Sequence, residues 1–418
     1  MNYLIETIGC QMNVCESDWL GSVLSTYGMS RVSSLSDADI VILNTCSVRY
    51  QAEQKAFSYL GRVEEFRQQN PDTKIVVTGC MAERLGLKIK QRFKSVDLIV
   101  GAKDIDITAL KIIDLCNIEA EKQEELNIPS DIARYVTIMR GCDNYCSYCV
   151  VPFVRGRETS LDAEIIVKKC SLFVKNGAKE IMLLGQNVNS YQYNDVKFTS
   201  LIKKISTING LERIRFMTNH PKDLGDDLVS VMATEPKVCS HIHIPMQSAS
   251  NKILKAMDRK YTYERYLELI NKLRNVITDV SITTDIIVGF PGETESDFEK
   301  TLKAVKDIRF GGLYVFRYSP RPDTKAFELI DDVPLEEKKR RHAIILKESN
   351  KISVEIVAAM VGSMQQVLAE RFENGVIEAR TRGGRKVFVK GGTGKDLGKH
   401  LNVVIKEAKI NSLFGDVV

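Results

Sequence analysis

The stretch Arg140–Pro152, RGCDNYCSYCVVP, places three cysteines at the spacing C-x3-C-x2-C. The next cysteine along the chain is Cys170, and the next histidine is His220. Structural zinc sites are closed by four ligands, so three thiols without a nearby fourth ligand argue against zinc. A 4Fe–4S cluster held by three thiolates keeps one iron without a protein ligand. The spacing therefore predicts a cluster whose open iron binds a small molecule.

Strand-like and helical segments alternate around this stretch, from Arg134 onward. Helical runs such as DAEIIVKKCSLFVKNG separate the apolar runs, and this alternation indicates βα units with parallel strands. Six such units are too few for a closed eight-fold barrel, so we expect an open, partial (βα)6 barrel of the TIM type. The six predicted strands read RYVTIMRGC, EIMLLGQN, RIRFMTN, HIHIPMQS, SITTDIIVGF and GLYVFRYS.

Three strand-like runs in the first eighty residues, YLIETIGC, ADIVILNTC and KIVVTGC, each end in a cysteine. Amphipathic segments lie between them, which predicts an open parallel α/β domain. Cys10, Cys46 and Cys80 are separated by 36 and 34 residues, about one βα repeat each time. All three should emerge at the carboxyl edge of one sheet, where open α/β sheets place their ligand sites. Taken alone, the spacing also fits three small buried residues at strand ends.

The chain divides into three predicted domains, at residues 1–120, 121–357 and 358–418. The polar, acidic segment 117–131, NIEAEKQEELNIPSD, is a predicted linker. After a charged helix near residues 334–360, alternating apolar and polar residues with glycine pairs predict a small antiparallel β-barrel. Residues 362–418 carry ten Lys and Arg against six Asp and Glu, so 10 − 6 = +4 of the net charge of +5 lies there. Nucleic acid is a plausible partner for this tail, although a solvated charged hairpin would have the same composition.

Composition is ordinary for a globular chain, with 44% hydrophobic and 27% charged residues. The segment MNYLIETIGC lacks a basic region and an apolar core typical of a signal peptide, and no run is long enough to span a bilayer. We therefore expect a cytoplasmic protein, in which thiols are metal ligands or buried apolar residues rather than disulfides. Four further cysteines are predicted not to be ligands: Cys15, Cys116, Cys170 and Cys239.

The C-x3-C-x2-C stretch resembles the signature of radical S-adenosylmethionine (SAM) enzymes, and nearly the whole chain resembles the radical SAM methylthiotransferases. This resemblance implies an N-terminal methylthiotransferase domain with an auxiliary 4Fe–4S cluster, a radical SAM barrel and a C-terminal RNA-binding β-barrel called TRAM. The matching stretches are TIGCQMN, ILNTCSVR, VVTGCMAERLG, MRGCDNYCSYCVVPFVRG, LLGQNVNSY, IHIPMQSASNKILKAMDRKY, DIIVGFPGETESDFEKTL and NSLFGD.

The resemblance also implies roles for individual residues. The catalytic 4Fe–4S cluster would be held by Cys142, Cys146 and Cys149, and the auxiliary cluster by Cys10, Cys46 and Cys80. SAM would be bound by residues at successive strand ends and beside the cluster: Tyr148, Gly185, Gln186, Asn187, Gln247, Asp285, Gly289 and Gly292. RNA contacts are expected in the segment RTRGGRK and just after it: Arg380, Arg382, Arg385, Lys386 and Phe388.

The implied cofactors are two 4Fe–4S clusters and SAM, with two SAM molecules consumed per turnover. The implied partners are the anticodon stem-loop of tRNA and an electron donor such as flavodoxin or ferredoxin, with no membrane. The stretches GCQMN and YCSYCVVPFVRGRETS are most like the branch that adds a methylthio group to C2 of isopentenyl-adenosine. Branches acting on threonylcarbamoyl-adenosine or on ribosomal protein S12 remain alternatives. A non-catalytic iron–sulfur protein or a zinc-containing RNA-binding protein is the alternative of another class.

Overall fold

The structure is a computed structural model that describes residues 1–48, 50–119 and 130–418. Most of the predicted linker at 117–131, and the predicted boundary after residue 120, lie outside the described residues. The first compact unit comprises Met1–Pro129, Arg140–Asp143 and Cys149–Thr159. The second comprises Ser130–Met139, Asn144–Tyr148 and Ser160–Val418. Within the described ranges, no helix has the length and apolar character needed to cross a bilayer.

The first unit is built on a five-stranded parallel sheet with the strand order β2-β1-β3-β4-β5. Its strands are β1 (Asn2–Ile8), β2 (Ser30–Arg31), β3 (Ile40–Thr45), β4 (Lys74–Gly79) and β5 (Leu98–Gly101). Its helices are α1 (Gln11–Thr26), α2 (Tyr50–Gln69), α3 (Cys80–Leu85), α4 (Leu87–Arg92), α5 (Thr108–Leu115) and α6 (Val151–Arg155).

The sheet is covered by apolar side chains on both faces, as expected for parallel strands. Every residue of β3 is buried, which explains its continuous apolar sequence. The three predicted cysteine-ended strands are confirmed as β1, β3 and β4. The short edge strands β2 and β5 were not predicted, because two and four residues are too few to show a period.

The second unit contains the predicted partial barrel. Six parallel strands form two three-stranded sheets, β12-β9-β6 and β13-β14-β15, which confirms the (βα)6 prediction. The strands between residues 133 and 317 are β6 (Ala133–Thr137), β7 (Met139–Arg140), β8 (Thr159–Ser160), β9 (Glu180–Leu184), β10 (Gln192–Tyr193), β11 (Val196–Lys197), β12 (Arg213–Phe216), β13 (His241–His243), β14 (Ser281–Val288) and β15 (Gly312–Arg317). The helices are α7 (Ala163–Lys175), α8 (Phe198–Ser206), α9 (Asp226–Thr234), α10 (Asn251–Ala256), α11 (Tyr263–Val276), α12 (Glu295–Ile308) and α13 (Leu335–Ala358).

The C-terminal strands close into a five-stranded barrel in the order β16-β17-β18-β20-β19. They are β16 (Met364–Glu373), β17 (Val376–Thr381), β18 (Lys386–Lys390), β19 (His400–Lys409) and β20 (Ser412–Val417). The expected antiparallel pairing holds except between β18 and β20, which are parallel. The chain reverses twice between these strands, through β19, so β20 returns in the direction of β18.

A buried arginine on the partial barrel links it to the C-terminal barrel inside the second unit. Arg215 on β12 donates from Nε to Glu180 Oε1 at 2.8 Å. Its other nitrogens donate to the carbonyl oxygens of Arg382 at 2.9 Å and Thr381 at 2.7 Å. Arg215 and Glu180 are both almost inaccessible to solvent. The guanidinium therefore fixes the β17–β18 turn with hydrogen bonds that water cannot replace.

Replacing Arg215 by Ala should destabilise the second unit by about 3–5 kcal/mol, because the buried Glu180 carboxylate then has no ion-pair partner. Urea unfolding of the iron-free chain would measure the loss. Arg309→Ala is the matched control, because the Arg309–Glu355 pair is exposed and should contribute less than about 1 kcal/mol. Equal effects of the two substitutions would contradict this account of the junction.

Candidate functional site

Three cysteines meet at the carboxyl edge of the sheet in the first unit. Strands β1, β3 and β4 are neighbours, and their register aligns the last residues Ile8, Thr45 and Gly79. Cys10 then caps the N-terminus of α1, Cys46 follows β3, and Cys80 opens α3. Burial is the main cause of the raised pKa of Cys80, and the charges of Cys46 and Cys10 add to the rise, so the three sulfurs are close enough to interact electrostatically.

A buried pair of amides fixes the loops that carry Cys10 and Cys46. Asn13 donates from Nδ2 to Asn44 Oδ1 at 2.8 Å, and Asn44 donates from its own Nδ2 to the Asn13 carbonyl oxygen at 3.0 Å. Asn13 Oδ1 accepts the backbone N–H of Cys10 at 3.2 Å. The start of α1 is therefore tied to the end of β3 by side chains with no exposure.

Arg155, which sequence reasoning missed, reaches the same edge from α6. Its Nε lies 3.2 Å from Cys80 Sγ, and its two terminal nitrogens pair with the Glu16 carboxylate at 2.5 and 3.0 Å. Burial raises the pKa of the Cys80 thiol to about 12, and the Arg155 charge opposes that rise. A cluster ligand must be a thiolate, so the guanidinium favours the required form. The available signal was one arginine at the end of the apolar run VVPFV.

The C-x3-C-x2-C cysteines are divided between the two units, with Cys142 and Cys149 in the first and Cys146 in the second. In the first unit, the Cys142 N–H donates to the Gly156 carbonyl oxygen at 3.3 Å. Gly141 precedes it at φ +75°, and a Cβ there would lie 2.0 Å from the Arg157 carbonyl oxygen. This turn therefore requires glycine.

Cys146 also has a buried arginine beside it. Arg259 donates from Nη1 to Cys146 Sγ at 3.2 Å and from Nη2 to the Pro245 carbonyl oxygen at 3.1 Å. The Tyr261 hydroxyl accepts from Arg259 Nε at 3.2 Å. Sequence reasoning quoted this stretch, MDRKY, without giving Arg259 a role. A cationic donor thus contacts one cysteine of each predicted cluster.

Two glutamines at strand ends of the partial barrel carry unpartnered polar atoms. Gln186 Oε1 and Gln247 Oε1 are buried and accept no hydrogen bond from the described residues. Gln247 has φ +67°, a strained conformation that its backbone bonds to Asp285 and Ile287 maintain. Buried polar atoms are normally paired, so these two oxygens fit a ligand that supplies the missing donors. Asn187 differs, since its amide already pairs with Asp223 and with the His220 N–H.

Of the remaining predicted SAM-binding residues, Gly185 and Gly289 directly follow strands and Gly292 lies in the same loop as Gly289, whereas Asp285 lies within β14 and Tyr148 in the loop before α6. Gly185 allows Met139 to approach, because a Cβ there would be 2.4 Å from Met139 Cγ. Asp285 Oδ2 lies 3.2 Å from His243 Nε2. Gly289 and Gly292 both have positive φ, at +70° and +80°. Tyr148, like Ile287, packs on an apolar cluster that includes Met257 and Phe290.

Three thiols are the kind of donor that holds an iron–sulfur cluster. Among the described residues, no three His, Cys, Asp or Glu side chains are close enough together to ligate one ion. Each thiolate of a 4Fe–4S cluster binds a different iron, so cluster cysteines need not converge on one point. Three thiols grouped at one sheet edge beside a buried guanidinium match that requirement.

The predicted RNA-binding arginines are engaged within the second unit. Arg380 makes a two-bonded pair with Glu370 at 2.8 and 3.0 Å. Arg382 donates to the Pro236 and Val238 carbonyl oxygens, and Arg385 donates to Gly311 at 3.2 Å. Phosphate contacts by Arg382 or Arg385 would have to replace these bonds.

Phe388 forms an aromatic pair that sequence reasoning only half identified. Its ring stacks on Phe414 with centroids 5.3 Å apart. Lys386 lies over Phe388 and Lys409 over Phe414, at 5.6 and 4.9 Å from the ring centroids. We call these four residues the aromatic platform. Phe414 and Lys409 were missed because β20 becomes a neighbour of β18 only in the closed barrel, with β19 paired on the other side of β20.

The partial barrel and the cysteine motif together define a radical SAM protein. Residues 136–305 match the Radical SAM superfamily, residues 2–101 match Uncharacterized protein family UPF0004, and residues 358–418 match the TRAM domain. The radical SAM methyltransferase TsrM from Kitasatospora setae has a similar fold, with a TM-score of 0.57 at 13% identity over 89% of this chain and 79% of that chain. Cobalamin-dependent OxsB is similar with a TM-score of 0.53 at 13% identity, over 84% of this chain and 57% of its own.

Closer relatives identify the family. The chain is 73% identical to the tRNA-2-methylthio-N(6)-dimethylallyladenosine synthase of Endomicrobium trichonymphae, over 100% of both chains. It is 42% identical to the protein of that name from Thermodesulfovibrio yellowstonii, over 99% of this chain and 98% of the relative. This chain belongs to the tRNA-2-methylthio-N(6)-dimethylallyladenosine synthase family, within the radical SAM methylthiotransferases. Membership of the radical SAM superfamily implies SAM and a 4Fe–4S cluster as cofactors.

Replacing Gly79 by Ala should destabilise the first unit by about 2 kcal/mol or more, because its φ of +91° and ψ of −162° suit glycine alone. The new Cβ would also lie 2.4 Å from the Thr45 carbonyl oxygen, beside Cys46 and Cys80. Gly61→Ala is the control, since a Cβ in that helix meets no atom within 4 Å and should stabilise by about 0.5–1 kcal/mol. Urea unfolding of the iron-free chain measures both, and a neutral Gly79→Ala would show that the loop is not constrained.

Proposed function

We propose that this chain inserts sulfur and a methyl group at C2 of isopentenyl-adenosine, also called dimethylallyladenosine, beside the tRNA anticodon. The observation that carries the proposal is the meeting of Cys10, Cys46 and Cys80 at one sheet edge, in addition to the C-x3-C-x2-C motif. A radical SAM enzyme that only cleaves SAM needs one cluster. A second group of three thiols supplies a place for a sulfur donor.

The proposed division of labour follows three domains. Residues 1–120 form the methylthiotransferase domain, whose auxiliary 4Fe–4S cluster is held by Cys10, Cys46 and Cys80. Residues 121–357 form the radical SAM domain, whose cluster is held by Cys142, Cys146 and Cys149. Residues 358–418 form the TRAM domain, which binds RNA. Two SAM molecules are consumed per turnover, one as the source of the methyl group and one as the source of the radical.

The reaction class follows from the bond that must be broken. The hydrogen at C2 of adenine is not acidic and the carbon is not electrophilic, so acid–base catalysis has little effect there. When bound, the clusters and SAM supply a one-electron reductant, a carbon-centred radical and a sulfur atom. The protein's own groups position the reactants and exclude water. The described strand ends accordingly present amides, glycines and thiols beside the His243–Asp285 pair.

The strand-end residues have distinct proposed roles toward SAM. Gln186 and Gln247 offer buried carbonyl oxygens to N–H groups of the cofactor, which would satisfy the two unpartnered atoms. Gly289 and Gly292 let the main chain approach the adenine without a side chain in the way. Tyr148 and Asp285 complete the proposed pocket, while Asn187 orients the turn after β9 through Asp223.

The aromatic platform is the proposed contact for the tRNA anticodon stem-loop. Stacking on an aromatic ring accepts any unstacked base, and neighbouring lysines attract the phosphates. Lys386 and Lys409 flank the stacked rings of Phe388 and Phe414 in this way. The target base lies in a single-stranded loop, which lowers the cost of turning it toward the radical site. The proposed setting is the cytoplasm, where a flavodoxin or ferredoxin would supply electrons.

The function is tested by nucleoside mass spectrometry of tRNA treated with the reconstituted enzyme, SAM and a reductant under anaerobic conditions. The expected product is the methylthio derivative of isopentenyl-adenosine, and tRNA lacking the isopentenyl group should stay unmodified. The matched controls are tRNA carrying threonylcarbamoyl-adenosine and ribosomal protein S12. Modification of either control instead of the isopentenyl substrate would assign the chain to that other branch.

The two cysteine sets should fail in different ways. Replacing Cys142, Cys146 or Cys149 by Ala should abolish formation of deoxyadenosine from SAM. Replacing Cys10, Cys46 or Cys80 should spare that cleavage and stop sulfur insertion. Iron content should fall from about eight to about four per chain in either set, since each set holds one four-iron cluster. Cys170→Ala is the control, because this buried thiol on α7 is predicted to bind neither cluster. Normal SAM cleavage without Cys142 would disprove the assignment of the motif.

Replacing Phe388 by Ala should weaken tRNA binding by about 10-fold, since one base–aromatic stack contributes about 1–3 kcal/mol. Fluorescence anisotropy with a labelled anticodon stem-loop at fixed ionic strength measures the change. Phe372→Ala is the control, because Phe372 is an exposed aromatic on β16 of the same barrel. The salt dependence should be unchanged in Phe388→Ala, as no phosphate contact is removed. Equal weakening by both substitutions would show that the platform is not specific.

A further inference from the structure

Arg155, the last residue of α6, bonds through its side chain to Cys80, a predicted ligand of the auxiliary cluster. Its side chain is 4% exposed and that of Glu16 is 2% exposed, so the ion pair is removed from water. Nη1 and Nη2 are both taken up by the Glu16 carboxylate. That two-bonded geometry fixes the plane of the guanidinium, which leaves Nε aimed at Cys80 Sγ at 3.2 Å.

A buried ion pair is a poor choice for stability alone. Desolvating two charges costs several kcal/mol, and apolar residues of similar volume often replace such a pair without loss. The surroundings of Cys80 are apolar, with Ala102, Val150 and Val154 packed around it. An apolar residue at position 155 would extend that cluster. The charge is therefore better explained by what it does to the sulfur than by packing.

We propose that Arg155 is a positioning residue that holds the Cys80 sulfur and raises the reduction potential of the auxiliary cluster, with Glu16 orienting the guanidinium and moderating its charge. Hydrogen bonds to cluster sulfurs and nearby net charge both set such potentials. A cation stabilises the reduced, more negative cluster. The inference rests on the proposed function, because it requires a cluster at Cys10, Cys46 and Cys80.

The sequence position of Arg155 gives the contact a second consequence. Arg155 lies six residues after Cys149, a predicted ligand of the other cluster, and both belong to the first compact unit. Through Arg155, the segment that follows the radical SAM motif is anchored on the auxiliary-cluster sulfur. Substitutions at residue 155 should therefore affect the auxiliary cluster before they affect the radical SAM cluster.

The test uses the full chain carrying Cys142→Ala, Cys146→Ala and Cys149→Ala, so that the auxiliary cluster gives the whole signal. Its potential is measured by redox titration followed by electron paramagnetic resonance. Arg155→Gln should lower the potential, because Glu16 then stands uncompensated near the cluster. Glu16→Gln should raise it, because the cation is no longer neutralised. Arg155→Lys keeps the positive charge but loses the two-bonded geometry of the guanidinium. Its reduction potential should therefore lie between that of Arg155→Gln and that of the parent.

Opposite shifts separate this role from a structural one. If Arg155 and Glu16 served folding alone, both substitutions would disturb the cluster in the same direction or leave its potential unchanged, and either result would overturn the proposal. Arg67→Gln is the control, because Arg67 makes a similar two-bonded pair with Asp97 in the same unit. It should leave the potential at the parent value.

Two further outcomes are distinguishable. If the parent with the triple substitution binds no iron, the auxiliary cluster itself is absent and the proposed function fails before Arg155 is tested. If the parent binds about four irons and Arg155→Gln binds none, the proposal is tested by the reduction potentials of Arg155→Lys and Glu16→Gln instead. A lowered Arg155→Lys value with a raised Glu16→Gln value supports the proposal, and parent-like values for both overturn it.

Discussion

Parallel pairing of β1, β3 and β4 is the constraint on which the candidate site depends. Adjacent parallel strands begin at one edge and end at the other, so residues one or two positions past the ends of three neighbouring strands must share a small area. The aligned ends Ile8, Thr45 and Gly79 place Cys10, Cys46 and Cys80 in that area. A slip of one residue in any strand would turn its following cysteine away. The buried Asn13–Asn44 amide pair resists such a slip.

Buried guanidinium groups are the second recurring device. Arg155 donates to Cys80 and Arg259 donates to Cys146, each from a side chain with almost no exposure. A thiol in an apolar site stays protonated, as the raised pKa of Cys80 shows. A fixed cation beside the sulfur reverses part of that preference without opening the site to water. At Cys80, the Arg155 contact would favour the thiolate that the proposed auxiliary cluster requires.

The cations of the C-terminal barrel divide between structure and surface. Arg380, Arg382 and Arg385 bond to protein groups within the second unit, which explains why a dense basic run does not become a free phosphate-binding strip. Lys386 and Lys409 lie over the stacked rings of Phe388 and Phe414, and each also pairs with a glutamate, Glu378 or Glu407. Aromatic rings partly exposed beside lysines suit unpaired bases better than a duplex backbone.

The sequence by itself determined the strand-and-helix alternation, the partial barrel, the small C-terminal barrel and the two cysteine sets. These features are local or periodic, so spacing along the chain reveals them: Cys10, Cys46 and Cys80 recur once per βα unit. Tertiary structure alone decided which distant side chains meet. Arg155 reaches Cys80 and Glu16, and Phe414 joins Phe388, through contacts that no period encodes. The parallel β18–β20 pair arose in the same way, because barrel closure and not local propensity sets strand direction.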